Sequence, residues 1–92
     1  MAKAVVTMKV MPESPDVDLA ELEEKIKEKI TSFAGEGDIR VNIQPVAFGL
    51  KSLSLIFVME ESIGSTEPLE KEVESIEGVS SQEITDVRRA VG

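Results

Sequence analysis

The hydrophobic residues of this chain alternate, then recur at helical spacing, then alternate through two further runs. A second helical stretch and a last alternating run follow. That succession of periods constrains the fold more tightly than any motif. Ala4, Val6, Met8 and Val10 fall on one face of the first run, with Val5, Thr7, Lys9 and Met11 on the other. Both faces are fairly apolar, which suits a central strand. Pro12 ends the run because it has no N–H for the ladder. Asp18 is placed to cap a helix, with Glu21 three residues on. Leu19, Leu22, Ile26, Ile30 and Phe33 then recur at helical spacing, opposite a charged face, and Gly35 stops the helix.

Ile39, Val41 and Ile43 alternate with Arg40, Asn42 and Gln44. Leu53, Leu55, Phe57 and Met59 alternate with Ser52, Ser54, Ile56 and Val58. Ser65 or Thr66 caps the second helix, Pro68 fits its first turn, and Leu69, Val73 and Ile76 form its buried stripe. A last strand is read over 79–87. Its Ile84 and Val87 are three apart and share a face only if a bulge intervenes.

Two βαβ-type halves with right-handed crossovers give an α+β, ferredoxin-like βαββαβ sandwich. Its four-stranded antiparallel sheet carries both helices on one face. The first and third strands, the most apolar, should be central, and the last strand an edge. The open face should carry Val5, Thr7, Lys9, Asn42, Gln44, Ser54, Ile56 and Val58. The 92 residues form a single domain, residues 1–92.

Composition removes several function classes. The chain has no histidine and no cysteine, so Cys–His and Ser–His nucleophiles and the usual zinc and copper sites are excluded. No cofactor is expected. The net charge is −8, which argues against direct nucleic-acid binding. An RNA-recognition domain shares this element order but stacks bases on aromatics of the open face. The three aromatics are all Phe, and none clearly falls there. No run is long enough to span a membrane, and the start of the chain lacks a signal-peptide pattern, so a cytoplasmic location is expected. Seven Glu against one Lys fill 60–77, a solvated face that also suits steering toward a basic partner. The adjacent Glu60 and Glu61 are read as solvated carboxylates, with Mg²⁺ or Ca²⁺ ligation as the sharper alternative.

Two features remain. Phe48 and Gly49 sit at the joint of the second and third strands. Phe48 is either a contact residue or a hinge residue tucked under its own loop. Arg88 and Arg89 are either a second contact or a soluble tail. The two features are expected at the same end of the sheet, forming one protein-binding patch with Arg89 projecting from the body.

The joint reads Pro45-Val46-Ala47-Phe48-Gly49-Leu50-Lys51-Ser52-Leu53. It resembles the Pro-Ile-Gly-Phe-Gly-Ile-Lys-Lys-Leu joint of the guanine-nucleotide exchange domain family of translation elongation factor 1-beta, in its short archaeal form. Phe57-Val58-Met59-Glu60-Glu61 is similar to that family's Val-Val-Glu-Asp step. Val79-Ser80-Ser81-Gln82-Glu83-Ile84 is similar to its Val-Gln-Ser-x-Asp-Ile/Val ending, and the same register sets Arg89 opposite the family's C-terminal Lys. Thr7–Pro12 is similar to its Leu-Asp-Val-Lys-Pro region, with the Lys out of register. The chain departs at the tail, where Arg replaces Lys and Val91 and Gly92 follow.

The resemblance implies a partner, the GTPase elongation factor 1-alpha, gripped through its GTP-binding domain and a neighbouring barrel domain. It implies that Phe48 packs on the GTPase, with Gly49 and Lys51 beside it. It also implies that Arg89, or else Arg88, disturbs the Mg²⁺ site. The resulting activity is nucleotide exchange, with no bond broken by this protein. Two rivals stand beside it: a small-molecule-binding regulatory module of the same fold, and a metal-dependent carboxylate enzyme using Glu60 or Glu61.

Overall fold

The computed structural model describes residues 2–90; Val91 and Gly92, which the resemblance places after the family's ending, lie outside the described residues. Six main elements follow in order: β1 (Lys3–Pro12), α1 (Leu19–Ala34), β2 (Ile39–Pro45), β3 (Lys51–Glu60), α2 (Glu67–Glu74) and β4 (Val79–Ala90). The sheet order is β2-β3-β1-β4, and every neighbouring pair is antiparallel. This is the ferredoxin-like α+β sandwich expected from the periods. The two most apolar strands are the central ones.

The alternation sorts residues as read. Val6, Met8 and Val10 of β1 and Leu53, Leu55 and Phe57 of β3 are buried, and they meet Leu22, Ile26 and Ile30 of α1 and Leu69 and Val73 of α2. Asp18 caps α1: its Oδ1 accepts from the N–H groups of Ala20 at 3.0 Å and Glu21 at 3.2 Å. Such a cap contributes about 1 kcal/mol. Thr66 holds the N-cap position of α2 without a capping bond from its side chain, and the preceding Ser65 accepts from the Glu67 N–H through its Oγ at 3.1 Å. Thr66 instead donates to the Glu70 carboxylate at 2.8 Å. Ser52, at the start of β3, is buried, and its hydroxyl donates to the Gln44 carbonyl at 3.4 Å.

The bulge that Ile84 and Val87 require is present. Thr7 pairs with Asp86 and Met8 with Ile84, so Thr85 is the extra residue. Gly78 leads into β4 with φ 99°, and a Cβ there would meet a Val17 methyl at 3.4 Å. Its carbonyl accepts from the Glu13 N–H at 2.8 Å, tying the β1–α1 and α2–β4 connections together.

Two expectations are corrected. β4 does not end at Val87; pairing with β1 carries it to Ala90, so Arg88 and Arg89 are strand residues and not a projecting tail. The hairpin and the two arginines also lie at opposite ends of the sheet. β1 runs antiparallel to both β3 and β4, so β3 and β4 run the same way. The hairpin precedes β3 and therefore sits beside the start of β4, far from its end. Arg89 faces Ala4, which faces Met59, eight residues along β3 from Lys51. At strand rise that is about 27 Å, in a molecule 42 Å long.

Candidate functional site

The β2–β3 joint closes in a tight turn within the five residues between the paired Pro45 and Lys51. The Val46 N–H donates to the Leu50 carbonyl at 2.8 Å, and the Leu50 N–H to the Ala47 carbonyl at 3.3 Å. Phe48 and Gly49 are the two residues between Ala47 and Leu50, with φ 63°, ψ 30° at Phe48 and φ 77° at Gly49. Two consecutive positive φ values define a type I′ turn, whose twist matches that of the flanking strands. Gly49 takes this conformation without strain. Phe48 does not: its Cβ crowds the following carbonyl, at a cost of about 1–2 kcal/mol. It is the one non-glycine residue with positive φ among the described residues.

No packing offsets that strain, for Phe48 is 94% exposed. The hinge reading, with the ring tucked under its loop, is therefore wrong. The other two Phe side chains behave as the aromatic-poor composition suggests: Phe57 is buried in the core and Phe33 packs against it from α1. Exposed Lys51 follows the turn, opposite Pro45. A shallow groove beside the turn is lined by Pro12, Pro15, Leu19, Gly49 and Lys51.

At the far end, the two arginines point to opposite faces because they are successive strand residues. Arg88 pairs with Val5 on the open face, and its Nε donates to Asp86 at 2.8 Å on its own strand. Arg89 lies on the helix-bearing face beside half-exposed Val87. Its Nε and Nη2 donate to the two oxygens of Glu61 at 3.0 and 3.1 Å. Glu61 is solvent-accessible but not free: it is one half of an exposed bidentate ion pair. No group of three or more acidic side chains suited to a metal ion occurs among the described residues.

The hydrogen bonds from Arg89 hold the Glu61 carboxyl below the ordinary glutamate range; slight burial opposes this and the Arg89 charge adds to it. The same bonds raise Arg89. A carboxyl with a lowered folded-state pKa stabilises the pair above its unfolded pKa, and that contribution is lost as pH falls through the folded value. A carbon-detected NMR titration should therefore find Glu61 titrating below the ordinary range, and Arg89→Ala should return it there. An unshifted Glu61 in the parent protein would show that the pair does not persist in solution.

The pairing of Glu61 with Arg89 is not visible in the sequence. Glu61 lies 28 positions from Arg89, and no local pattern links them. Only the register of β1 with both β3 and β4 brings them together.

The small ferredoxin-like sandwich thus presents a strained, exposed aromatic at one end and an arginine paired with Glu61 at the other. The family model described as the EF-1 guanine nucleotide exchange domain matches residues 5–90, and the chain belongs to that family. Its function is accordingly guanine-nucleotide exchange in translation elongation. The chain is 46% identical over 89 residues to elongation factor 1-beta of Methanothermobacter thermautotrophicus, covering 97% of this chain and 98% of that one. It is 48% identical over 90 residues to elongation factor 1-beta of Staphylothermus marinus, with the same two coverages. A solved structure, BlrP1 BLUF, superposes with a TM-score of 0.57 at 16% identity, over 100% of this chain and 57% of that one, which is a likeness of fold alone. No helix among the described residues is long and apolar enough to cross a membrane.

Proposed function

We propose that this exchange factor acts on the GTPase elongation factor 1-alpha in the cytoplasm, through Phe48 at one end of the sheet and Arg89 at the other. The observation that carries this reading is Phe48: a large apolar side chain held in a costly backbone conformation and left almost wholly in solvent. Strain of that kind persists where it serves contact and not stability. Gly49 completes the turn, and Lys51 stands beside it as a rim charge.

Burial of the Phe48 ring in a partner contributes about 2 kcal/mol. A partner that binds the nucleotide-free GTPase better than the loaded one weakens nucleotide binding by the same factor. Arg89 supplies the second element. A guanidinium brought near the Mg²⁺ position competes with the ion that holds the β-phosphate. Arg88 points to the opposite face, so only one of the two arginines can meet a partner from the helix-bearing side, and the role is assigned to Arg89. The separation of about 27 Å means that the two residues do not enter one pocket. They fit a partner touched at two places, such as a GTP-binding domain and its neighbour. The factor itself makes and breaks no covalent bond.

Release of labelled GDP from purified elongation factor 1-alpha, with and without this protein, tests the reading. Accelerated release that saturates with added protein is expected. An unchanged rate would remove the proposed partner.

A further inference from the structure

We propose that Glu61 is a positioning residue for exchange: its carboxylate holds the Arg89 guanidinium in the plane from which the remaining N–H groups meet the partner. The inference rests on the role of Arg89 proposed above. The two bonds, at 3.0 and 3.1 Å, use Nε and Nη2. A fork of this kind fixes the plane of the group as well as its place. Of the five guanidinium donors, those on Nη1 are left directed away from Glu61. Without the fork, a strand-end arginine whose side chain is 72% exposed would sample many rotamers, and each encounter would have to order it anew.

Glu61 is well placed to impose that order. Its backbone N–H donates to the Ala2 carbonyl at 3.1 Å, and its carbonyl accepts from the Gly64 N–H at 3.0 Å in the turn that closes β3. The carboxylate is therefore anchored to the two central strands and reaches past the start of β1 to the edge strand β4. Arg88 has no comparable support, because its partner Asp86 belongs to the same strand. The pair is exposed, so it opens at little cost and orders Arg89 without trapping it. The fork also suits arginine at position 89, since an ammonium has no plane for a carboxylate to fix.

The test compares GDP release from purified elongation factor 1-alpha at saturating full-length protein for the parent, Glu61→Ala, Arg89→Ala and the double variant. Glu61→Ala should slow release by about threefold to fivefold, the upper part of the range open to an exposed ion pair. It should produce no further slowing in the Arg89→Ala background. The Arg89 Nε–H signal, sharp in the parent NMR spectrum, should broaden in Glu61→Ala. Unchanged release in Glu61→Ala overturns the proposal, as does faster release, which would make the pair a latch. Equal slowing by Glu61→Ala in both backgrounds overturns it too, since that is the mark of a purely structural role. If Arg89→Ala releases GDP at the parent rate, the reading of Arg89 falls and this inference with it. Should Glu61→Ala fold poorly by thermal melting, Glu61→Gln, which keeps the shape and one acceptor oxygen, serves in the same comparisons with an intermediate effect.

Discussion

Phe48→Asn should make this protein more stable and much less active. Relief of the left-handed strain offers about 1 kcal/mol, and a domain of this size then melts about 4–8 °C higher. Asparagine tolerates positive φ, and Asn-Gly is the preferred dipeptide of a type I′ turn. Little burial is lost, because the ring is 94% exposed. The same change removes the proposed anchor, so half-maximal GDP release should need about 30-fold more protein, as expected for ~2 kcal/mol of lost contact. Phe48→Ala separates the two effects. It loses the anchor equally, yet keeps a side chain at positive φ and gains no comparable stability. A lower melting point for Phe48→Asn would mean that the ring packs on its own domain. Unchanged exchange would end its role as a contact.

The opposed signs matter more than either magnitude. Most substitutions that impair a protein also destabilise it, and a loss of exchange alone would not separate a contact from a damaged fold. Gain of stability with loss of activity does separate them. It is the expected signature of a residue whose local conformation disagrees with the fold around it.

That disagreement also explains what the sequence could and could not reveal. Strand and helix periods are carried by each segment itself, and so β1, α1 and β3 were legible from their apolar spacing. The conflict between Ile84 and Val87 called for a bulge, which the pairing with β1 places at Thr85. The conformation of Phe48 was hidden because the local rule points the other way: an aromatic at the first central position argues against a type I′ turn. The length of β4 was hidden because Arg88 and Arg89 have weak strand character, and it is β1 that supplies their pairing partners, Val5 and Ala4. The placement of the two contact elements at one end failed on strand direction. Antiparallel pairing of β1 with both β3 and β4 was itself expected, and it already requires the hairpin and the end of β4 to lie apart.

That distance yields the second large effect. Phe48→Ala should raise the amount of protein needed for half-maximal release about 30-fold and leave the maximal rate near that of the parent, because an anchor held throughout the exchange contributes uniform binding. Arg89→Ala should do the reverse, lowering the maximal rate on the order of tenfold, within the usual span of coupling between two ligands, with a smaller effect on half-saturation. Sites farther apart than about 10 Å, with no shared partner, combine additively in free energy to within about 0.5 kcal/mol. The two residues are separated by some 27 Å of strand. The double variant should therefore lose the product of the two factors, about 300-fold in the ratio of maximal rate to half-saturation, with a deviation of no more than about twofold. A single shared patch predicts otherwise: once either residue is gone, removing the other should cost little more. A double variant no worse than the weaker single variant would therefore refute the two-ended grip, whatever the single substitutions did.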